Sequence, residues 1–196
     1  MNKLITKDRQ YRKFEVRVAE EGMIVEGYAA TFEQEAVMYE IDGIQYKEVV
    51  DMKAFQGAEM HDVVMNFNHD GKPVARTKNG TLEINTDAHG LRIKADLSGT
   101  EEGRRLYEEI KGGYIDKMSF AFTVNDEEYS KETRTRRIVS VKRLYDVAAV
   151  DIPAYDTTDI FARSFYAAEA EREAAEAVER KKRKLKMLID LEEANK

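Results

Sequence analysis

The chain has 196 residues, 42% hydrophobic and 36% charged, with a formal net charge of −6 and no cysteine. The missing cysteine excludes disulfides, thiolate metal sites and a cysteine nucleophile, and the acidic balance argues against bulk attraction to nucleic acid or an anionic membrane. No apolar run approaches the roughly 20 residues of a membrane span, and the opening MNKLITKDRQYRKF has no apolar stretch of the kind a secretion signal needs.

In chain order, FEVRV (14–18) and MIVEGYAATF (23–32) read as strands around a turn at Glu21-Gly22, and IQYKEVV (44–50) reads as a third. VVMNFN (63–68) follows and ends at His69-Asp70-Gly71. TLEINTD (81–87) and LRIKADL (91–97) form a hairpin around Ala88-His89-Gly90. SGTEEGRRLYEEIKGG (98–113) is the clearest helix: Ser98 and Glu101 have capping-box spacing, Leu106 and Ile110 share a face, and Gly112-Gly113 stop it. GGYIDKMSFAFTV (112–124) holds the next strand, and NDEEYSKETRTR (125–136) is a polar loop, lid or hairpin. RIVSVKRLYDVAAVDI (137–152) supplies one long strand or two, ending at Pro153. Residues 165–196 lack Gly and Pro, are rich in Ala, Glu, Lys and Leu, and read as one long helix. That tail is electrically neutral, so the negative charge belongs to the body, and the expected division is a domain over 1–164 and a helical tail over 165–196. Many short strands around one central helix give an α+β class with a barrel-like sheet.

Alternation in 118–124 puts Met118, Phe120, Phe122 and Val124 on a bulky face and Ser119, Ala121 and Thr123 on a small, polar one. An ordinary half-solvated strand has that pattern. So does a strand that must let something approach Ser119. The backbone N–H groups beside such a serine are what an oxyanion hole uses. His69 sits where a strand gives way to a turn, the place for a general base and equally for a solvent-facing turn residue. His89 reads as a hairpin-turn residue and His61 as surface. The spacing of His61 and His69, with Asp70 beside the latter, matches no zinc pattern, so neither a metal nor another cofactor is expected. Asp146 and Asp151 interrupt an apolar strand and fall on opposite faces of it, which suits one for orienting a histidine and the other for capping a turn. The basic clusters 134–137, Lys142-Arg143 and 180–186 read as solvated faces before they read as anion sites.

Taken together, VEGYAATF, KEVVDMKAF, VVMNFNHD, PVARTKNGTLEINTDAHGL, GRRLYEEIKGG, IDKMSFAF and LYDVAAVDIPAYDTT resemble, in order and spacing, the prohead (procapsid maturation) serine proteases of tailed bacteriophages. That family is related in fold to the herpesvirus assemblin proteases, and the resemblance spans roughly residues 14–160. It implies a distorted, mostly antiparallel β-barrel flanked by helices. It implies Ser119 as nucleophile and His69 as base. The third member falls at Asp146, where the family usually has a longer Glu, and Ala148 stands where Ser is usual. The Phe120 backbone and Arg143 are the oxyanion donors expected on the same basis.

The substrates so implied are protein: scaffold, or the scaffolding segment of the major capsid protein, and the chain itself, inside the procapsid in the bacterial host cytoplasm. A homodimer is a possible form, and neither nucleic acid nor membrane is an expected partner. Val178, Leu185, Leu188 and Ile189 give the tail an apolar stripe for pairing with helical scaffold, or the tail is removed by self-cleavage. A non-catalytic assembly protein that keeps the fold is the alternative. A small-ester hydrolase is a third reading, disfavoured because no G-x-S-x-G segment is present.

Overall fold

The computed structural model describes residues 10–19, 22–41, 43–151 and 160–194; Glu21 and the expected strand stop at Pro153 lie outside them. The strands are β1 (Gln10–Val18), β2 (Ile24–Thr31), β3 (Ala36–Ile41), β4 (Ile44–Val50), β5 (Val64–Phe67), β6 (Asp70–Arg76), β7 (Leu82–Thr86), β8 (Gly90–Asp96), β9 (Lys117–Ser130) and β10 (Thr135–Val150). The helices are α1 (Glu101–Lys111) and α2 (Ile160–Ala194), with a single 3-10 turn at Thr77–Asn79.

Period-two burial shows why these segments are strands. In β8, Leu91, Ile93 and Ala95 are buried while Arg92 and Lys94 are exposed. In β9, Met118, Phe120 and Phe122 enter the main core with Leu106, Ile110, Ile93 and Val147. Phe120 and Phe122 stack at 4.7 Å between ring centroids. α1 buries Leu106, Tyr107 and Ile110 against that core. Its N-cap is Thr100, whose hydroxyl accepts the Gly103 N–H at 2.8 Å. The expected cap, Ser98, lies two residues outside, because Asp96 holds the Ser98 N–H in a turn before the helix begins.

The class is α+β, as expected, but the barrel is not. The strands run β3-β4-β10-β9-β1-β2-β8-β7, and the path stays open at β3 and β7 among the described residues. β10 is the reason. It is 16 residues long and pairs antiparallel with β9 along its length. Its other edge is shared between two short parallel partners, β4 at Thr135–Ile138 and β5 at Asp146–Ala149. The sheet therefore forks instead of closing. Register shifts between Ile138 and Asp146 bend β10 between the two branches.

The segment 125–136 is neither loop nor lid. It is the continued β9–β10 hairpin, with a turn at residues 131–134. Its arginines are engaged internally, which corrects their reading as a solvated face. Arg136 is fully buried between Glu48, at 3.1 Å, and Glu127. Arg137 binds Glu33 and Asp51, and Arg134 binds Glu173.

α2 is one continuous helix, but it begins five residues before the expected tail and its first turns belong to the body. Tyr166 is fully buried against Tyr46, with Met38, Tyr129 and Ala170 around the pair. The Tyr166 hydroxyl donates to Lys47 O at 2.9 Å. Burial, and then the negative charge of Glu173, push the Tyr129 hydroxyl up to about 12. Lys131 reaches Glu176 at 2.7 Å. From Ala174 to Ile189 every side chain is exposed, including Val178, Leu185, Leu188 and Ile189. No helix among the described residues is long and apolar enough to cross a membrane.

Candidate active site

The outer face of the sheet, opposite the core, carries the candidate chemistry. Ser119 pairs with Ala148 across β9–β10, and Ala121 pairs with Asp146. Directly paired residues point to the same face, so Ser119, Ala121, Asp146 and Ala148 share it. Ser119 and Asp146 are diagonal neighbours, a relation that places Cα atoms about 7–8 Å apart. On the far side of β10, Ala148 pairs with Asn66 and Asp146 with Val64 of β5. The face is closed to solvent: Ser119 is 3% exposed, Asp146 6%, and Ala121 and Ala148 not at all.

His69 arrives from the β5–β6 hairpin. Phe67 pairs with Asp70, so Asn68-His69 is a two-residue turn. Both residues have left-handed backbone, with φ of 49° and 56°, as the tight turns that match strand twist require. His69 Nδ1 lies 2.5 Å from Asp146 Oδ1, and its Nε2 is shielded from solvent. The turn lies beyond the end of β5, whereas Asp146 is level with Val64. The imidazole therefore reaches back along β10 to meet Asp146.

The other expected site residues are placed differently. At Phe120 both flanking strands pair, opposite Arg12 and Val147, so its N–H points into a ladder on whichever side it faces. Arg143 pairs with Thr123, four residues along β9 from Ser119, or about 13 Å. Its guanidinium sits 3.3 Å from Glu59 and 4.9 Å from the Tyr145 ring centroid. Arg143 is thus held at Glu59 and Tyr145 rather than level with Ser119. His61 is exposed beside Glu59, and His89 packs edge-on against Tyr28 in its hairpin turn, at 4.4 Å. Among the described residues no His, Asp and Glu cluster has the form of a metal site.

Sequence reasoning passed over Asn68. Its amide Nδ2 donates to Asp151 Oδ1 at 2.9 Å, and its Oδ1 accepts the Asp151 N–H at 3.3 Å. The signal was present as an Asn directly before a histidine at a strand end, where left-handed backbone is common.

A serine sharing one sheet face with a hydrogen-bonded histidine and carboxylate is an arrangement that serine hydrolases use. The family model of the caudovirus prohead serine proteases matches residues 11–173, and the chain belongs to that family. The protein is thus a capsid maturation protease, with capsid proteins as its general class of substrate and the procapsid interior as its expected place. The match ends at Glu173, beyond which the described side chains of α2, 174–189, are exposed. The expected boundary at 164/165 instead falls inside α2. Neither the curated proteins nor the solved structures gave a match.

Proposed function

We propose that Ser119 is the nucleophile of this protease, His69 its general base and Asp146 the group that orients His69. The observation that carries the reading is the 2.5 Å contact between His69 Nδ1 and Asp146 Oδ1 on the face that Ser119 shares. With the Nδ1–H donated to the carboxylate, Nε2 is the acceptor tautomer and can take the Ser119 proton as Oγ attacks a peptide carbonyl. The proton then passes to the leaving amine, and water releases the acyl group by the same route. Asp146 stabilises the imidazolium formed at each step. The substrates are the scaffold, or the scaffolding segment of the major capsid protein, and the chain itself, all within the procapsid. There confinement raises the effective concentration of each cleavage site.

The exposed end of α2 has a separate role in this reading. Val178, Leu185, Leu188 and Ile189 offer a stripe to helical scaffold, carrying the protease into the shell, after which self-cleavage removes it.

The test is intact mass of the full chain beside Ser119→Ala, at high concentration and neutral pH, alone and with capsid protein co-expressed. Defined fragments from the wild type alone support the reading. Equal fragmentation of the two chains refutes Ser119, and persistence of both intact with capsid protein present favours a scaffold that keeps the fold.

A further inference from the structure

His69 occupies the second position of a two-residue hairpin turn, where both central residues need positive φ and glycine is the usual choice. A histidine there is held against its backbone preference, and such strain persists only where the surroundings over-determine it. What surrounds it is Asn68. The Asn68 N–H donates to Ala149 O at 2.9 Å. Its side chain then makes the reciprocal pair with Asp151, Nδ2 donating to the carboxylate and Oδ1 accepting the backbone N–H. Three hydrogen bonds thus tie residue 68 to residues 149 and 151. Asp146 lies on the same strand a few residues earlier. The base and its carboxylate are therefore registered against one another through β10.

We propose that Asn68 and Asp151 are positioning residues. They clamp the turn so that the His69 ring meets Asp146. The proposal rests on His69 being the base. It adds that the histidine's pose is set from outside the triad, by the Asn68–Asp151 pair. The alternative is a clamp that merely stabilises a surface turn.

A charge swap separates the two. Asn68→Asp alone faces one carboxylate with another and opens the clamp. Adding Asp151→Asn restores it with the donor and acceptor exchanged: the amide introduced at position 151 can donate to the carboxylate introduced at position 68, while the backbone N–H of residue 151 remains. Asn68→Gly keeps the left-handed turn without the side chain, and serves if Asn68→Asp does not fold. Two readouts on the full chain are needed: the low-field proton resonance of the His69–Asp146 hydrogen bond, and the rate at which a fluorophosphonate labels Ser119.

The proposal expects Asn68→Asp and Asn68→Gly to lose the resonance and to label about 10- to 100-fold more slowly, the scale of a misplacement near 1 Å. The double variant should recover both. A wild-type resonance in folded Asn68→Asp or Asn68→Gly overturns the clamp, as does a double variant that recovers nothing. Failure of the underlying reading looks different: Ser119→Ala would still be labelled, whatever the resonance does.

Discussion

Replacing Asp146 with asparagine tests the site at the contact that defines it. The two side chains are isosteric, so the fold should survive, but the hydrogen bond cannot remain what it is. The contact spans 2.5 Å with Asp146 6% exposed, a short bond in a water-poor setting, where a carboxylate acceptor makes the stronger, charge-assisted kind. A side-chain amide at position 146 has two ways to meet Nδ1. If its NH2 donates, the imidazole proton is driven to Nε2, the atom that must accept from Ser119. If its oxygen accepts, the tautomer is right but no negative charge balances the imidazolium. The first costs general-base action and the second its stabilisation. A loss of about 10,000-fold is expected, or about 5 kcal/mol of barrier at roughly 1.36 kcal/mol per decade. The assay is the second-order rate of fluorophosphonate labelling at Ser119, in chains whose thermal melting matches the wild type, with Ser119→Ala setting the floor. Labelling of Asp146→Asn within about tenfold of wild type would refute the role given to Asp146.

Gly90→Ala should destabilise by about 2 kcal/mol or more, because an added Cβ would sit 1.9 Å from Ala30 O in the paired strand. Gly99→Ala, with nothing within 4 Å of the new Cβ, should be nearly neutral in the same melts. Tyr166→Ala should cost about 3–5 kcal/mol, seen as a fall in Tm on the order of 10 °C, whereas deleting 177–196 should leave Tm almost unchanged and abolish incorporation into procapsids. Equal loss of stability from both changes would show that the exposed half of α2 is not separable from the body. Arg137→Met should lower stability at neutral pH by an amount that shrinks in acid. Glu33 is held low first by Arg137, and Asp51 first by the Lys53 N–H and then by Arg137. Both carboxyls are lowered, so their contribution is complete above roughly pH 4.5 and fades as pH falls through the lowered values. Urea titrations of both proteins from about pH 7 to 3 would check it, and a gap that widened in acid would count against the linkage.

Elements set by local pattern were legible in the sequence. β2, β4, β5, β7 and β8 follow from alternation and turn residues, and α1 from its apolar spacing and glycine stop. β3 and β6 were not read, because AVMYEI shows no clean alternation of apolar and polar residues and DGKPVAR begins with turn residues. What makes each a strand is the partner it finds, β4 and β5 respectively. The polar run 125–136 was ambiguous for a similar reason. Its arginines read as solvent-facing until Glu48 and Glu173, from distant parts of the chain, and Glu127, across the hairpin, take them up. The cap of α1 was misplaced by two residues because Ser98 and Thr100 are equivalent in sequence, and only the Asp96 turn separates them.

The site divides along the same line. Ser119, His69 and Asp146 were reachable because each is an unusual residue for its place: a serine in an apolar strand, a histidine at a strand end, an acid among Val and Ala. The hold on Asn68 was not, because it depends on the register of the β5–β6 turn against the end of β10, some eighty residues away in sequence. Alternation alone set Asp146 and Asp151 on opposite faces. Their partners, His69 and Asn68, are consecutive residues of one turn. A single two-residue turn thus reads both carboxylates, one with each side chain. That is why a change at Asp151, whose carboxylate and backbone N–H hold Asn68, should be felt at the imidazole.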